Sequence, residues 1–390
     1  MIIEQLYKIN AWRDPELLKR KWAKMASNPV AFFRWSAVLF YQALEDRLTF
    51  ESPWWRVCGD LHVENFGTMR WLAGQIDFDI NDFDEANWWQ IHRDLTRLVT
   101  SIAIVYRMFG SRIDDSARMI AYTQDRYVSL LLDGKVGDLS QIDEDTPVQH
   151  HISKKLIYKD QDRLIDKLTK HNRIVRSDEF QELLPSECEE VDRVISQILS
   201  HVRGTKVLDV VRRVNGNASL WLLRYAVLIQ WHDKHHRHIL DIKQSISSIL
   251  HWHRSHAHWD TESERIVSIQ KMMQDDSPLL LSTVMIGKNS FVIKEMQPTE
   301  DKIIFDPEDK HSIHRKLIDE MVYALVRAQI SSCDVLGAVS LPQLMDYAQI
   351  LQSNETIQSF SLEYADLNHL YYDQFCDELL FGKTDNKSTK

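Results

Sequence analysis

Apolar residues recur at helical intervals through most of this chain. Residues 11–50 and 91–109 each carry apolar side chains three and four positions apart with polar residues between them, which is the pattern of a helix with one buried face. Helical, charged sequence continues to about residue 203 and resumes at about residue 311. The pattern therefore predicts helices on both sides of a central block with a different character.

That central block begins near Val207 and predicts strands. Branched and aromatic residues, which favour strands, surround the small-residue centre N-G-N-A-S, and two later runs are joined by the hairpin signal I-G-K-N. We expect five strands and one helix here, forming a second lobe. The predicted divisions are a mostly helical lobe at 1–205, the five-stranded lobe at 206–297, the helical remainder of the larger lobe at 298–380 and a polar tail at 381–390.

A shorter strand is predicted near the start of the chain, between two polar segments. Residues 75–80 alternate between polar and apolar, with Asp77 and Asp79 expected on the exposed face. The segment before this strand is C-G-D-L-H-V-E-N-F-G at 58–67, and the segment after it is N-D-F-D-E-A at 81–86. We expect the end of the strand to lie beside the first segment.

Asp60, Asn65 and Asp82 in these two segments are candidates for a cation site. Asn and Asp oxygens are hard ligands suited to Mg²⁺, which takes few protein ligands and keeps positions for phosphate oxygens. Asp60 would then remain to orient or deprotonate an attacking hydroxyl, which is the division of roles seen in phosphoryl transfer. The alternative interpretation is a solvated acidic turn followed by a strand end.

The two segments resemble the motifs of aminoglycoside-phosphotransferase-like kinases. That family has a catalytic loop G-D-L-H-x-x-N, then an Asp-Phe or Asp-Trp pair, then an Asp-Leu that opens a helix. The matching residues here are G-D-L-H-V-E-N at 59–65, Asp82-Phe83 and Asp94-Leu95. One departure is Cys58, which stands where the family usually has His.

A closer resemblance is to a largely uncharacterised, mostly bacterial domain-of-unknown-function family of the protein-kinase-like superfamily. It extends to R-V-N-G-N-A-S-L at 213–220, D-I-K-Q-S at 241–245 and K-E-M-Q-P-T-E-D at 294–301, and so covers roughly residues 27–330. The resemblance implies a two-lobed, kinase-like α+β fold. Because Asp60 precedes Lys243, it also implies circular permutation, with a helix at 311–330 in the position that normally leads into the catalytic loop.

The resemblance assigns roles residue by residue. It implies that Asp60 is catalytic, that Asn65 and Asp82 hold metal with Asp84 as a further ligand, and that His62 and Asp94 support the loop. Lys243 would contact the nucleotide phosphates. The remaining nucleotide-binding positions implied are Gly216, Asn217, Ser219 and Glu264, the last as a partner of Lys243. The stretch at 213–220 lacks the second and third glycines of the family pattern.

The resulting expectation is an ATP- and Mg²⁺-dependent phosphotransferase acting on an unknown small-molecule or protein acceptor. One alternative on the same fold is nucleotidyl transfer, in which AMP is passed on. Another is a non-catalytic, nucleotide-binding pseudokinase or scaffold, which the eroded glycine stretch and Cys58 favour. A metal-dependent hydrolase would leave Lys243 and the strand lobe unexplained.

Composition narrows the partners and the location. The chain of 390 residues has a formal net charge of −10, which disfavours broad nucleic-acid binding. Its four cysteines form no C-x-x-C pair, and neither a signal peptide nor a membrane-length apolar run is seen, so we expect a cytoplasmic protein without a membrane partner. The histidine-rich runs at 232–238 and 251–258 favour solvated segments over a zinc site.

Overall fold

Helices form most of the described structure, a computed structural model that describes residues 2–10, 15–70, 76–135, 146–158, 160–201, 205–214, 222–230, 237–249, 259–274, 278, 280–296, 305–333 and 339–385. The helices are α1 (Ile2–Asn10), α2 (Pro15–Met25), α3 (Pro29–Trp35), α4 (Ala37–Arg47), α5 (His92–Met108), α6 (Ile113–Asp133), α7 (Pro147–Tyr158), α8 (Asp160–Leu168), α9 (Pro185–His201), α10 (Glu262–Met273), α11 (His311–Ser331), α12 (Leu341–Gln352) and α13 (Thr356–Asp385). The helix α13 ends inside the stretch predicted as a polar tail.

The strands are short near the start of the chain and longer in the central block. They are β1 (Trp54–Val57), β2 (Phe66–Arg70), β3 (Ile76–Ile80), β4 (Asn87–Gln90), β5 (Thr169–Lys170), β6 (Arg173–Ile174), β7 (Phe180–Gln181), β8 (Lys206–Arg213), β9 (Arg224–Gln230), β10 (Arg237–Gln244), β11 (Ser282–Ile286) and β12 (Asn289–Glu295). The chain is thus a mixed α+β protein with a curled antiparallel sheet.

Helix α5 occupies the centre of the helical part of the protein. Its apolar stripe, which includes Leu95, Leu98 and Ile102, is fully buried. The helix packs against α6 on one side and α13 on another, and Thr100 Oγ1 donates a hydrogen bond to Ser361 Oγ of α13 at 3.0 Å. Because residues from β1 and β3 join the same apolar core, the two short β-ribbons are held against this helix.

The large sheet contains the five predicted strands. Its order is β11–β12–β10–β9–β8–β7, every pairing is antiparallel, and α10 connects β10 to β11. The tight turn between β11 and β12 includes Gly287 at a φ of +58°, a conformation that glycine adopts without steric cost. The strand and hairpin patterns from about residue 206 are therefore confirmed.

The stretch predicted as helical up to residue 203 also contains short strands. Strands β5 and β6 form a hairpin whose two turn residues, His171 and Asn172, both have positive φ, and β7 adds an edge strand to the large sheet. Two-residue turns with positive φ at both positions suit tight hairpins. The prediction was wrong here because two-residue strands are too short to leave a period-two pattern.

Both faces of the large sheet are covered by residues that precede it in the chain. Val191, Val194 and Ile195 of α9 pack on one face. On the opposite face, Ile165 of α8 and Ile174 of β6 pack over one end of β8, β9 and β10. The part of that second face nearest Lys243 instead carries charged side chains.

Helix α11 connects several elements around the predicted loop. Its end lies beside β1: Trp55 Nε1 donates to Ser332 Oγ at 2.8 Å, next to the α11 terminus. Arg327 of α11 pairs with Asp77 at 2.6 Å and with Asp79 at 2.9 Å. Asp79 is fully buried, so its predicted exposure was wrong, because a distant helix supplies the countercharge. No described helix has the length and apolarity to span a membrane.

Candidate functional site

The loop 58–65 is held from one side by helix α5. Asp94 Oδ2 accepts a hydrogen bond from the Cys58 N–H at 2.7 Å, and Asp94 Oδ1 accepts one from the Gly59 N–H at 2.9 Å. One and two turns later, α5 presents Arg97 and Ser101 to the same loop, and Ser101 Oγ accepts from the Val63 N–H at 3.1 Å. The fully buried Asp94 therefore contacts the loop backbone, whereas Asp60 is reached by Arg97.

Asp60 forms an ion pair with the buried guanidinium of Arg97. The Arg97 Nε donates to Asp60 Oδ1 at 2.6 Å, and Nη2 lies 2.6 Å from the same oxygen. The Arg97 side chain is fully buried and its guanidinium lies over the Phe33 ring at 4.2 Å, whereas Asp60 remains 24% exposed. Burial raises the pKa of Asp60 although Arg97 opposes that shift. The pair fixes one carboxylate oxygen and leaves the carboxylate partly exposed.

His62 faces the second oxygen of Asp60. The His62 Nδ1 accepts a hydrogen bond from the Glu64 N–H at 3.1 Å, so in the neutral ring the proton is on Nε2. That Nε2 lies 3.8 Å from Asp60 Oδ2, and the ring is almost completely buried. The buried His62 ring thus lies beside Asp60 and bonds to the backbone of its own loop.

Asn65 connects the loop to segment 82–86. Its Nδ2 donates to the carbonyl oxygen of Asp60 at 3.0 Å and to that of Asp82 at 3.1 Å. Cys58 reaches the same carbonyl, with Sγ 3.1 Å from the Asp82 oxygen. Because the amide nitrogen makes these bonds, the Asn65 Oδ1 points away from both carbonyls. The thiol at position 58, a departure from the family pattern, therefore also contacts segment 82–86.

Lys243 of β10 lies against segment 82–86. Its Nζ forms an ion pair with Asp84, 159 positions earlier in the chain. Burial alone would raise the pKa of Asp82, but the ammonium groups of Lys243 and Lys294 outweigh burial and lower it to about 2. The structure therefore brings Lys243 and both aspartates of segment 82–86 together.

The remaining residues of segment 82–86 contact the part of the chain around the large sheet. Glu85 Oε2 accepts hydrogen bonds from Ser248 Oγ at 2.8 Å and from the Ile249 N–H at 2.7 Å, just after β10. Burial raises the pKa of Glu85 to about 7. Arg265 of α10 donates to the carbonyl oxygens of Asp84, at 3.0 Å, and Ala86. Segment 82–86 is thus held by β10, its following loop and α10.

Glu264 is not brought to Lys243. It is exposed in the first turn of α10, where its Oε2 accepts from the Asp260 N–H at 2.9 Å and its own N–H donates to Thr261 Oγ1 at 3.2 Å. This pattern satisfies N–H groups at a helix start. The carboxylate that pairs with Lys243 is that of Asp84.

Charged residues line the sheet face around Lys243. Arg224 of β9 donates through Nε to Asp241 Oδ1 at 2.6 Å, and its Nη2 pairs with the second oxygen. Burial would raise the pKa of Asp241, but Arg224 and Arg213 outweigh it and lower the pKa strongly. Lys294 of β12 is paired in register with Asp241. The sequence analysis gave no role to Arg224 or Lys294, although their place in alternating strands could have indicated a shared face with Lys243.

Three predicted site residues lie outside the described residues. They are Gly216, Asn217 and Ser219, all from the glycine-containing stretch. Most of the two histidine-rich runs, including residues 232–236 and 251–258, also lies outside them.

Asn65, Asp82 and Asp84 could provide oxygen ligands for a metal ion. Within the described ranges there is no group of three or more His, Cys, Asp or Glu side chains that could hold a metal. Mg²⁺ does not need such a cage, since it commonly binds through one or two carboxylates together with substrate phosphates. The donor chemistry therefore fits a Mg²⁺–phosphate site better than an all-protein metal site.

Comparison with known proteins places the chain in a family. The model of a family described as "Uncharacterized protein conserved in bacteria (DUF2252)" matches residues 13–378. A search of curated proteins found no match, and a search of solved structures found none. Since the family model covers almost all of the chain, the chain belongs to this family.

Proposed function

We propose that this member of the DUF2252 family is an ATP- and Mg²⁺-dependent phosphotransferase with a two-lobed, kinase-like fold. One observation carries the proposal: Lys243 of the sheet forms an ion pair with Asp84, 159 positions earlier in the chain, and the Asp84 N–H donates to Asp82 Oδ1 at 3.2 Å. An ammonium beside carboxylates is the local charge arrangement that a Mg²⁺–phosphate complex needs, with the cation on one side and the lysine on the other.

Each residue then has a role in the proposed reaction. Asp60, fixed through one oxygen by Arg97, orients the hydroxyl of the acceptor with the other oxygen. Asn65 and Asp82 hold Mg²⁺, with Asp84 as a further ligand, and Lys243 binds phosphate oxygens. The metal ion would neutralise charge on the phosphates. Asp94 keeps the loop in place from α5, and His62 does so from within the loop.

The order of the chain is consistent with circular permutation. Ser332, at the end of α11, accepts a hydrogen bond from Trp55 and lies 3.3 Å, through its carbonyl oxygen, from Nη1 of Arg56. Both partners belong to β1, which leads directly into the loop 58–65. Helix α11 thus ends where a chain running into that loop would begin, and permutation requires such adjacency. The position of Lys243 on the third strand counted from β8 agrees with the kinase order.

Nucleotide binding is the first test, because it needs no acceptor. Thermal unfolding of the wild-type protein should shift upward with ATP and Mg²⁺ together, and less with either alone. Asp82→Ala should abolish the Mg²⁺-dependent shift, whereas Asp46→Ala, at an exposed position of α4, should retain it. A wild-type protein that shows no shift with any nucleotide would contradict the proposed function.

Label transfer separates the possible reactions. With a mixture of candidate acceptors, transfer from γ-labelled ATP is expected, and Asp60→Asn should lower it strongly. Transfer from α-labelled ATP instead would indicate nucleotidyl transfer. Binding without transfer from either label would indicate a non-catalytic, nucleotide-binding protein.

A further inference from the structure

A group of four cationic side chains lies at the Lys243 end of one face of the large sheet, and three of them have carboxylate partners. Arg213 binds Glu179 at 2.9 Å, Arg224 binds Asp241 and Lys243 binds Asp84. The fourth is Lys294 of β12, which is half-buried and makes no ion pair or hydrogen bond within the part of the chain that the structure describes. A partly buried ammonium without a direct ion pair favours an anionic ligand.

The strand register places Lys294 beside Lys243. Lys294 lies directly opposite Asp241, and Lys243 lies opposite Val292, so the two lysines are diagonal neighbours on adjacent antiparallel strands. Diagonal neighbours on one face have Cα atoms about 7–8 Å apart, within reach of long side chains acting on one ligand.

Phosphates at this place need more positive charge than Lys243 alone supplies. A glycine-rich loop offers phosphates a series of backbone N–H groups, but the stretch at 213–220 has only one glycine, Gly216. Asp84 also neutralises Lys243 in the structure. A second lysine on the neighbouring strand would supply the missing charge.

We propose that Lys294 and Lys243 form a two-lysine site for the polyphosphate chain of a nucleoside triphosphate. That the ligand is a nucleotide rests on the proposed function, whereas the binding of a polyphosphate rests on the two lysines of the sheet face. The segment K-E-M-Q-P-T-E-D, which begins at Lys294, thereby gains a role that the sequence motif alone did not give.

The experiment measures ligand binding by calorimetry with Mg-ATP, Mg-ADP, adenosine and inorganic tripolyphosphate. Lys294→Met should weaken Mg-ATP and tripolyphosphate binding by about tenfold or more and leave adenosine binding at the wild-type level. The control is Lys288→Met, which removes an exposed lysine in the turn between β11 and β12 of the same sheet and should bind as the wild type does. Lys294→Arg should retain most of the affinity.

Folding is checked separately, because a loss of structure would also weaken binding. Lys294 has no ion pair or hydrogen bond to a described residue, so Lys294→Met should melt close to the wild type. Unchanged Mg-ATP and tripolyphosphate binding in this variant would overturn the two-lysine site and leave the proposed function standing. Binding of tripolyphosphate that depends on Lys294, without any nucleotide binding, would support the two-lysine site and overturn the proposed function. Wild-type protein that binds neither ligand would overturn both.

Discussion

The two segments that carry the acidic site residues are supported in different ways. The loop 58–65 is held by α5, through the buried Asp94 and Arg97, which belong to the helical core. Segment 82–86 is held by Lys243 and Arg265, which belong to the large sheet and its connecting helix. The backbone at Cys58 and Gly59 is therefore held by α5 of the helical part of the protein. The position of segment 82–86 depends on the sheet and on the hydrogen bonds that Asn65 and Cys58 make to the Asp82 carbonyl oxygen.

This difference indicates which part of the site can respond to a ligand. Breaking a contact of α5 should destabilise the loop and the core together, because the supporting residues are fully buried. Breaking a contact of the sheet should loosen segment 82–86 without altering the loop. Four substitutions or conditions test this contrast.

Asp94→Ala should have the largest effect on stability. It removes the acceptor of the Cys58 and Gly59 N–H groups and leaves a cavity, which should lower the free energy of unfolding by about 3–5 kcal/mol. Chemical denaturation of purified protein measures the change. Asp46→Ala, at an exposed site, should change it by less than about 0.5 kcal/mol. Equal effects of the two substitutions would contradict the support by α5.

The same carboxyl group should make stability depend on pH. Burial raises the pKa of Asp94 to about 7. The folded state then keeps a proton that the unfolded state loses above about pH 4, so the free energy of unfolding should fall as the pH rises from 4 to 7, by at most about 4 kcal/mol. In Asp94→Asn this contribution is absent. The free energy of unfolding, measured by chemical denaturation at several pH values, should therefore fall more steeply with pH in the wild type than in Asp94→Asn. Equal pH dependence in the two proteins would contradict the raised pKa of Asp94.

Arg97→Met should have a smaller effect, since its partner Asp60 is partly exposed. Loss of the buried guanidinium should cost about 2–3 kcal/mol, and the double variant with Asp60→Asn should recover part of the cost. A double-mutant cycle on the free energy of unfolding measures this coupling. Additive effects, with a coupling below about 0.5 kcal/mol, would show that the ion pair does not hold the loop.

Arg265→Ala should have the smallest effect on global stability and the most local one. It removes hydrogen bonds to the carbonyl oxygens of Asp84 and Ala86 and should cost about 1–2 kcal/mol. Hydrogen exchange should become faster at residues 82–86 and stay unchanged at Cys58 and Gly59. Lys271→Ala, at an exposed position of the same helix, serves as the control. Faster exchange at Cys58 would remove the distinction between the two segments.

Periodicity predicted the elements well where they are long and regular. The strands β8–β12 and the helix α5 follow from branched residues and from three- and four-residue spacing. The hairpin β5–β6 was missed because its information lies in two turn residues, His171 and Asn172. The burial of Asp79 was also missed, because it depends on Arg327, 248 positions later, and no local pattern reports such a pairing.

The site was predictable as a set of motifs but not as a set of contacts. The motifs assigned Asp60, Asp82 and Lys243 to one site, and the structure places Lys243 beside Asp82 and Asp84. The motif analysis did not indicate Arg97, although it follows Asp94 by one helical turn, a spacing that brings both residues to one face. The resemblance assigned Glu264 as the partner of Lys243, whereas in the structure Lys243 pairs with Asp84 and Glu264 bonds to the Asp260 N–H.

The position of α5 between the ends of the chain has a consequence for synthesis on the ribosome. The hydrogen bond from Thr100 joins α5 to Ser361, 261 positions later, so the helix lacks one of its packing partners until α13 has emerged. The strands of the large sheet are complete in the nascent chain at Glu295. Since chains emerge with their N-terminal part first, the sheet can form before α5 is fully packed. Lys243 would then be in place early, and the support of the loop 58–65 by α5 would be completed last.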